Sequence, residues 1–133
     1  MIQQQSLVGM LIVELSGVNK MSISIDKLRV YTNPNEFFTL GGSVIMKLTS
    51  QAAIGVCEIA TNKKLVISRI EGFIWHRNTG KFEARLDAIW DGLMNPENDL
   101  EKVKKNNKEA IENIKEDKKS GQNVFIITIA KKR

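Results

Sequence analysis

The sequence predicts an α+β fold: a mostly antiparallel β-sheet or flattened barrel of about seven or eight strands, with one long C-terminal-region helix followed by a final buried strand. Three observations predict it. Short apolar runs bounded by turn residues fill the chain up to Trp90. A helical period replaces them after Asn95. The last apolar run, Val124–Ala130, is VFIITIA. It has no polar face, so it wants cover on both sides, as a strand interior to a sheet does. The length, 133 residues, suits a single domain, 1–133.

The elements follow in order. Leu7–Leu15 is an apolar run broken only by Glu14 and ends in SGVNK, consistent with a buried strand. Met21–Tyr31 alternates, with a change of phase near Asp26-Lys27 that suggests a bulge. Thr32–Glu36, TNPNE, carries turn chemistry. Gly41-Gly42 breaks the chain before a strand over Ser43–Thr49. Ala53–Ala60 and Leu65–Glu71 flank TNKK and read as a hairpin.

Phe73–Trp90 reads as a second hairpin, and it gathers both tryptophans and the one histidine. A two-residue loop at Thr79-Gly80 would pair Trp75 with Ala84 and Phe73 with Leu86. Phe73, Trp75, Phe82, Ala84, Leu86, Ala88 and Trp90 then share one face. A three-residue loop would set Arg77 against Lys81 and split that face, which is unfavourable. The preferred register puts His76 beside Glu83 on the polar face. Strand alternation makes the aromatic face core. The alternative is an exposed binding face ringed by basic residues.

Asn95 as N-cap and Pro96 at the first helical position begin the helix. Leu100, Val103, Ala110, Ile111 and Ile114 form a thin apolar stripe that Asn107 interrupts. Lys115, Lys118 and Lys119 lie near its end, and Ser120-Gly121 closes it.

Several chemistries are excluded. One cysteine, Cys57, permits no internal disulfide, and one Cys with one His cannot build a zinc site. The acids of NPENDLE are explained by helix capping rather than a metal. Cys57 sits in an apolar run, so a dyad with His76 is not expected. The sequence has no G-x-S-x-G elbow and no phosphate-binding glycine loop. Glu83 and Asp87 are ordinary solvent-face alternation rather than a glycosidase pair. No catalytic residue, cofactor, metal or small-molecule ligand is therefore predicted. The longest apolar run of the early chain, Leu7–Val13, is too short to span a membrane, and no secretory signal is read. The location expected is the cytoplasm or an assembled particle.

The net charge of +5 needs partitioning. Residues 1–96 hold 10 Lys/Arg against 8 Asp/Glu, residues 97–130 hold 7 against 7, and Lys131, Lys132 and Arg133 supply the rest. A basic groove is not visible in the linear sequence. The segment Arg77–Leu86, RNTGKFEARL, resembles the basic hairpin of the arm-type DNA-binding domain of tyrosine integrases and of the plant AP2-type domain. The likeness covers about ten residues. Glu83 and Asp87 stand where basic or neutral residues would help such a role.

The functional expectation is a non-enzymatic interaction or assembly protein: a small β-rich subunit of a larger complex, of phage or virion type, with a protein partner or self-association. The alternative is a nucleic-acid-binding module that uses the hairpin's polar face and the C-terminal tail, and a third reading is an enzyme whose site is built from Asp, Glu and Arg alone. The candidate interaction residues are Arg69, His76, Arg77, Lys81, Glu83, Arg85, Lys131, Lys132 and Arg133.

Overall fold

The computed structural model describes residues 24–131, and of Leu86 only the backbone. The strand expected over Leu7–Leu15 and the start of the one over Met21–Tyr31 lie outside the described residues, as do Lys132 and Arg133.

The chain runs β1 (Val30–Tyr31), α1 (Pro34–Thr39), β2 (Lys47–Leu48), α2 (Ser50–Asn62), β3 (Ile67–His76), β4 (Lys81–Asp91), α3 (Leu100–Lys119), β5 (Val124–Ile129). The described strands form one five-stranded open sheet in the order β1-β2-β5-β3-β4. The β1–β2 pair is parallel, and the other three pairings are antiparallel. The α+β class, the long C-terminal-region helix and the final buried strand are as the sequence predicts; among the described residues the strands are fewer. Strand β5 inserts between β2 and β3. Val124, Phe125 and Ile127 are buried there, which accounts for a run with no polar face.

The lower strand count has a local cause. Ala53–Ala60 is helix, not strand, and TNKK ends that helix rather than turning a hairpin. Thr49 caps α2 by accepting from the Ala52 N–H at 3.2 Å. The buried residues Ala52, Ala53, Val56, Cys57 and Ala60 fall at helical spacing. Gly55 faces Pro34: a Cβ there would lie 2.8 Å from the proline Cγ, so α1 and α2 approach closely only because that residue is glycine. TNPNE opens α1, with Asn33 as N-cap and Pro34 in the first turn. Of Ser43–Thr49 only Lys47–Leu48 pairs as a strand. Before it, Val44 adopts φ 75° while its N–H still donates to the Ile127 carbonyl.

Helix α3 starts four residues later than Asn95 suggests. Asp99 is the N-cap and accepts from the Glu101 N–H at 3.0 Å. Its inward residues are Val103, Asn106, Asn107, Ala110 and Ile114. Helices α2 and α3 pack on one face of the sheet over Leu48, Ile70, Phe125 and Ile127. Each such fully buried aliphatic or aromatic side chain contributes about 1.5–3 kcal/mol. Asn107 interrupts the apolar stripe because it is a polar staple. Its Nδ2 donates to the Leu65 carbonyl and Thr61 Oγ1, and its Oδ1 accepts from the Ile67 N–H.

Candidate functional site

The β3–β4 hairpin carries six of the nine expected interaction residues and is the place to look for a site. Its loop has four residues, Arg77–Gly80: His76 pairs with Lys81 and Trp75 with Phe82. The two-residue register is thereby corrected. A two-residue type I′ loop needs positive φ at both central residues, which Thr79 resists. In the longer loop only Gly80 is left-handed, at φ 68°. Its N–H donates to the His76 carbonyl at 2.8 Å.

A second irregularity splits the aromatic stripe. Phe73 pairs with Ala84, but Glu71 pairs with Ile89, so four residues of β4 stand against Gly72 alone. The shift is an odd number of positions and flips the face. Phe73, Trp75, Phe82 and Ala84 therefore lie on the face away from the helices, with Val30, Lys47 and Val124 of the neighbouring strands. Trp90 and Ala88 lie on the helix side, where Trp90 packs against the core and Ala88 is buried. The single aromatic face expected from alternation is divided between core and open face.

The open face is curled. Strands β5 and β3 separate β2 from β4, yet the Lys47 Nζ sits 4.9 Å from the Phe82 ring centroid. The same ammonium donates to the Lys27 carbonyl at 2.8 Å. The Trp75 and Phe82 rings pack with centroids 4.5 Å apart. Asn123 pins the hairpin to the start of β5: its Oδ1 accepts from the Trp75 N–H at 2.7 Å and its Nδ2 donates to the Trp75 carbonyl at 3.3 Å. Where the hairpin tip curls back toward β1, a cleft of about 270 Å³ opens, with Val30, Thr32, Trp75 and Arg77 in its walls.

The expected interaction residues do not form one patch. His76 and Glu83 do meet, at 3.0 Å, and Glu83 also takes Arg85 at 3.3 Å. The hydrogen bond to His76, with the Arg85 charge assisting, holds the Glu83 carboxyl below its usual range. This exposed trio lies on the side of Ile74, opposite the aromatics, with Lys81 beside it. Arg69 pairs with Asp91 at 2.7 Å, at the far end of the hairpin from Arg77. Lys131 follows the end of β5 that pairs with Ile67, the far end of β3 from the tip. At about 3.3 Å per residue the tail and the tip are roughly 30 Å apart. A joint basic surface of hairpin and tail is therefore not formed by Lys131.

Among the described residues no group of three or more His, Cys, Asp or Glu is placed to hold a metal ion. Burial raises the Cys57 thiol to about 12, with Glu58 adding to the effect. No described helix is long and apolar enough to cross a membrane. A larger cavity, about 470 Å³, lies between Leu65, Val66, Pro96, Leu100 and Ala130, and offers one Lys and one Glu but no nucleophile or histidine. Sequence reasoning puts Trp75 and Phe82 on one face but misses Lys47 as a member of that surface and misses that the face is the open one. The signal was the odd register shift, which no local pattern in residues 85–88 announces.

Comparison with known proteins is decisive for the class. The family model for the Colicin-E5 Imm protein matches residues 46–130. The chain is 46% identical over 106 residues to the immunity protein CdiI of Burkholderia pseudomallei, covering 80% of this chain and 94% of that protein. It is 45% identical over 84 residues to the colicin-E5 immunity protein of Escherichia coli, covering 63% of this chain and 98% of that one. A second Escherichia coli relative, the colicin-E5 immunity protein in ColE9, matches to the same extent. These matches overturn the expectation of a structural subunit in a phage- or virion-type particle, and they give no support to the nucleic-acid alternative. The physical reason for the error is plain in β5. Its continuous apolarity serves the chain's own fold: β5 pairs on both edges, with β2 and β3, and buries Val124, Phe125 and Ile127, so it offers no surface for assembly.

Proposed function

Because the chain belongs to the Colicin-E5 Imm protein family, we propose that it is an immunity protein, which binds a toxin protein and neutralises it. One observation carries this: near-half identity to an immunity protein over nearly that protein's whole length. The geometry agrees with neutralisation by stoichiometric binding. The described residues form a sheet braced on one face by two helices, with the other face curled and lined by aromatic and basic side chains. Aromatic and arginine side chains on a rigid support are what protein interfaces use as anchors.

The test is protection. Cells making this chain are challenged with colicin E5, and separately with the toxin that the Burkholderia CdiI neutralises. The expected result is survival against at least one of them, with an equimolar complex on size exclusion. Death in both challenges, at expression levels where the two relatives protect, overturns the proposal.

A further inference from the structure

Resting on the toxin reading, we propose that the cleft between β1 and the hairpin tip receives an Asp or Glu side chain of the toxin, held by Arg77. Three observations carry this. The cleft is concave and about 270 Å³, too small for a drug-sized ligand but roomy enough for a side chain. Its lining includes one charged group, Arg77, and no acidic residue. Arg77 makes no ion pair with any described residue, whereas Arg29, Arg69 and Arg85 are each paired. Thr49, the N-cap of α2, also lines it, so the positive end of that helix dipole adds to the guanidinium. The floor is apolar, from Val30, Trp75 and Val124, and would desolvate a carboxylate and strengthen its pairing with arginine.

The cleft is also composite. Val30 and Thr32 come from residues before the family match, which begins at residue 46. The colicin-E5 immunity protein is spanned almost completely by 84 aligned residues, so it has no room for a counterpart of this wall. The contact is thus a feature of chains that carry the added β1–α1 lobe.

The experiment uses the full chain and whichever of the two toxins it neutralises, with Kd read by calorimetry at two salt concentrations. Arg77→Glu is expected to raise Kd on the order of thirtyfold or more and to slow association, with the difference narrowing at high salt. Thr32→Trp, which fills the cleft without changing charge, should weaken binding as well. Lys115→Glu on the exposed surface of α3 makes the same change in net charge and should stay within about twofold. Thermal melts of each variant establish folding; Arg77 and Thr32 are exposed and outside the strand ladders. Unchanged affinity in both cleft variants overturns the proposal while the toxin reading stands. If the unaltered chain binds neither toxin, both fall. If Arg77→Glu abolishes binding of a mixed-sequence RNA oligonucleotide but leaves the toxin Kd unchanged, the cleft is a phosphate site and the proposal fails.

Discussion

Replacing Asn107 by alanine removes the side chain that ties α3 to the connection between α2 and β3. Asn107 is 0% exposed. Its Oδ1 accepts from the Ile67 N–H at 3.1 Å and from Asn106 Nδ2 at 3.0 Å. Its Nδ2 donates to the Leu65 carbonyl at 2.8 Å and to Thr61 Oγ1 at 3.0 Å. Both lone pairs and both N–H groups are therefore used. Alanine leaves the Ile67 N–H and the Leu65 carbonyl without that partner. Each buried backbone group left unsatisfied costs about 1–3 kcal/mol, so two cost about 2–6 kcal/mol. A water entering the vacated polar space pulls the value toward the lower end. The expected loss is about 3 kcal/mol, a large fraction of the 5–15 kcal/mol typical of a whole domain. Urea unfolding followed by tryptophan fluorescence and by circular dichroism measures it, with an unchanged slope showing that the unfolded state is the same. Asn113→Ala, which removes one hydrogen bond to Asp117 at 3.2 Å, is the control and should cost under about 1 kcal/mol. A loss below about 1 kcal/mol for Asn107→Ala would refute the staple, because solvent or a rotated Asn106 would then be serving those groups equally well.

Three further outcomes are expected. A Cβ at Gly92 would lie 2.5 Å from the Trp90 Cη2 and 2.6 Å from the Ile67 carbonyl oxygen, so Gly92→Ala should destabilise by about 1–3 kcal/mol and alter the Trp90 environment in near-UV circular dichroism; an unchanged spectrum and midpoint contradict the packing. Cys57 is 0% exposed with its thiol raised to about 12, so a disulfide reagent should label it only as fast as the protein opens; labelling of the native protein at the rate of a free thiol contradicts its burial. Burial raises the Asp117 carboxyl above its usual range, with the nearby Asp87 and Glu116 charges adding to it against the Asn113 hydrogen bond. Folding thus favours its protonated form, and the stability this contributes is present at low pH and lost as pH rises through the folded value. Asp117→Asn should therefore be at least as stable as the parent at pH 7, with the difference shrinking on acidification; a variant less stable at pH 7 shows that the carboxylate is favourably held.

The hairpin shows what local pattern can and cannot say. Alternation over Phe73–Trp75 and Phe82–Ala84 identified two strands facing each other, and His76 does reach Glu83. The pairing offset was misjudged because Thr79-Gly80 resembles a tight-turn pair while Thr79 is costly at positive φ. The contact with Glu83 survived that error because a histidine ring bridges diagonal as well as direct neighbours. The segment Ala53–Ala60 misleads for a different reason. Its small apolar residues satisfy a strand-like run and a helical stripe equally, and only the approach of Pro34 to Gly55 and the cap at Thr49 choose helix.

What the sequence determined by itself is what depends on neighbours along the chain. Val124–Ile129 is an interior strand because both its faces are apolar, α3 ends at Ser120-Gly121 because glycine accepts φ 107°, and one cysteine with one histidine cannot supply a zinc site built on Cys and His. Only the tertiary structure decided which face each aromatic takes, since one odd shift opposite Gly72 reverses every side chain beyond it. It likewise brought Arg77 and Val30 to the walls of one cleft and set Lys47 against Phe82, pairs separated by dozens of residues. Sheet curl made those contacts. It is a sum of small twists over several strands and leaves no mark on any single stretch of sequence.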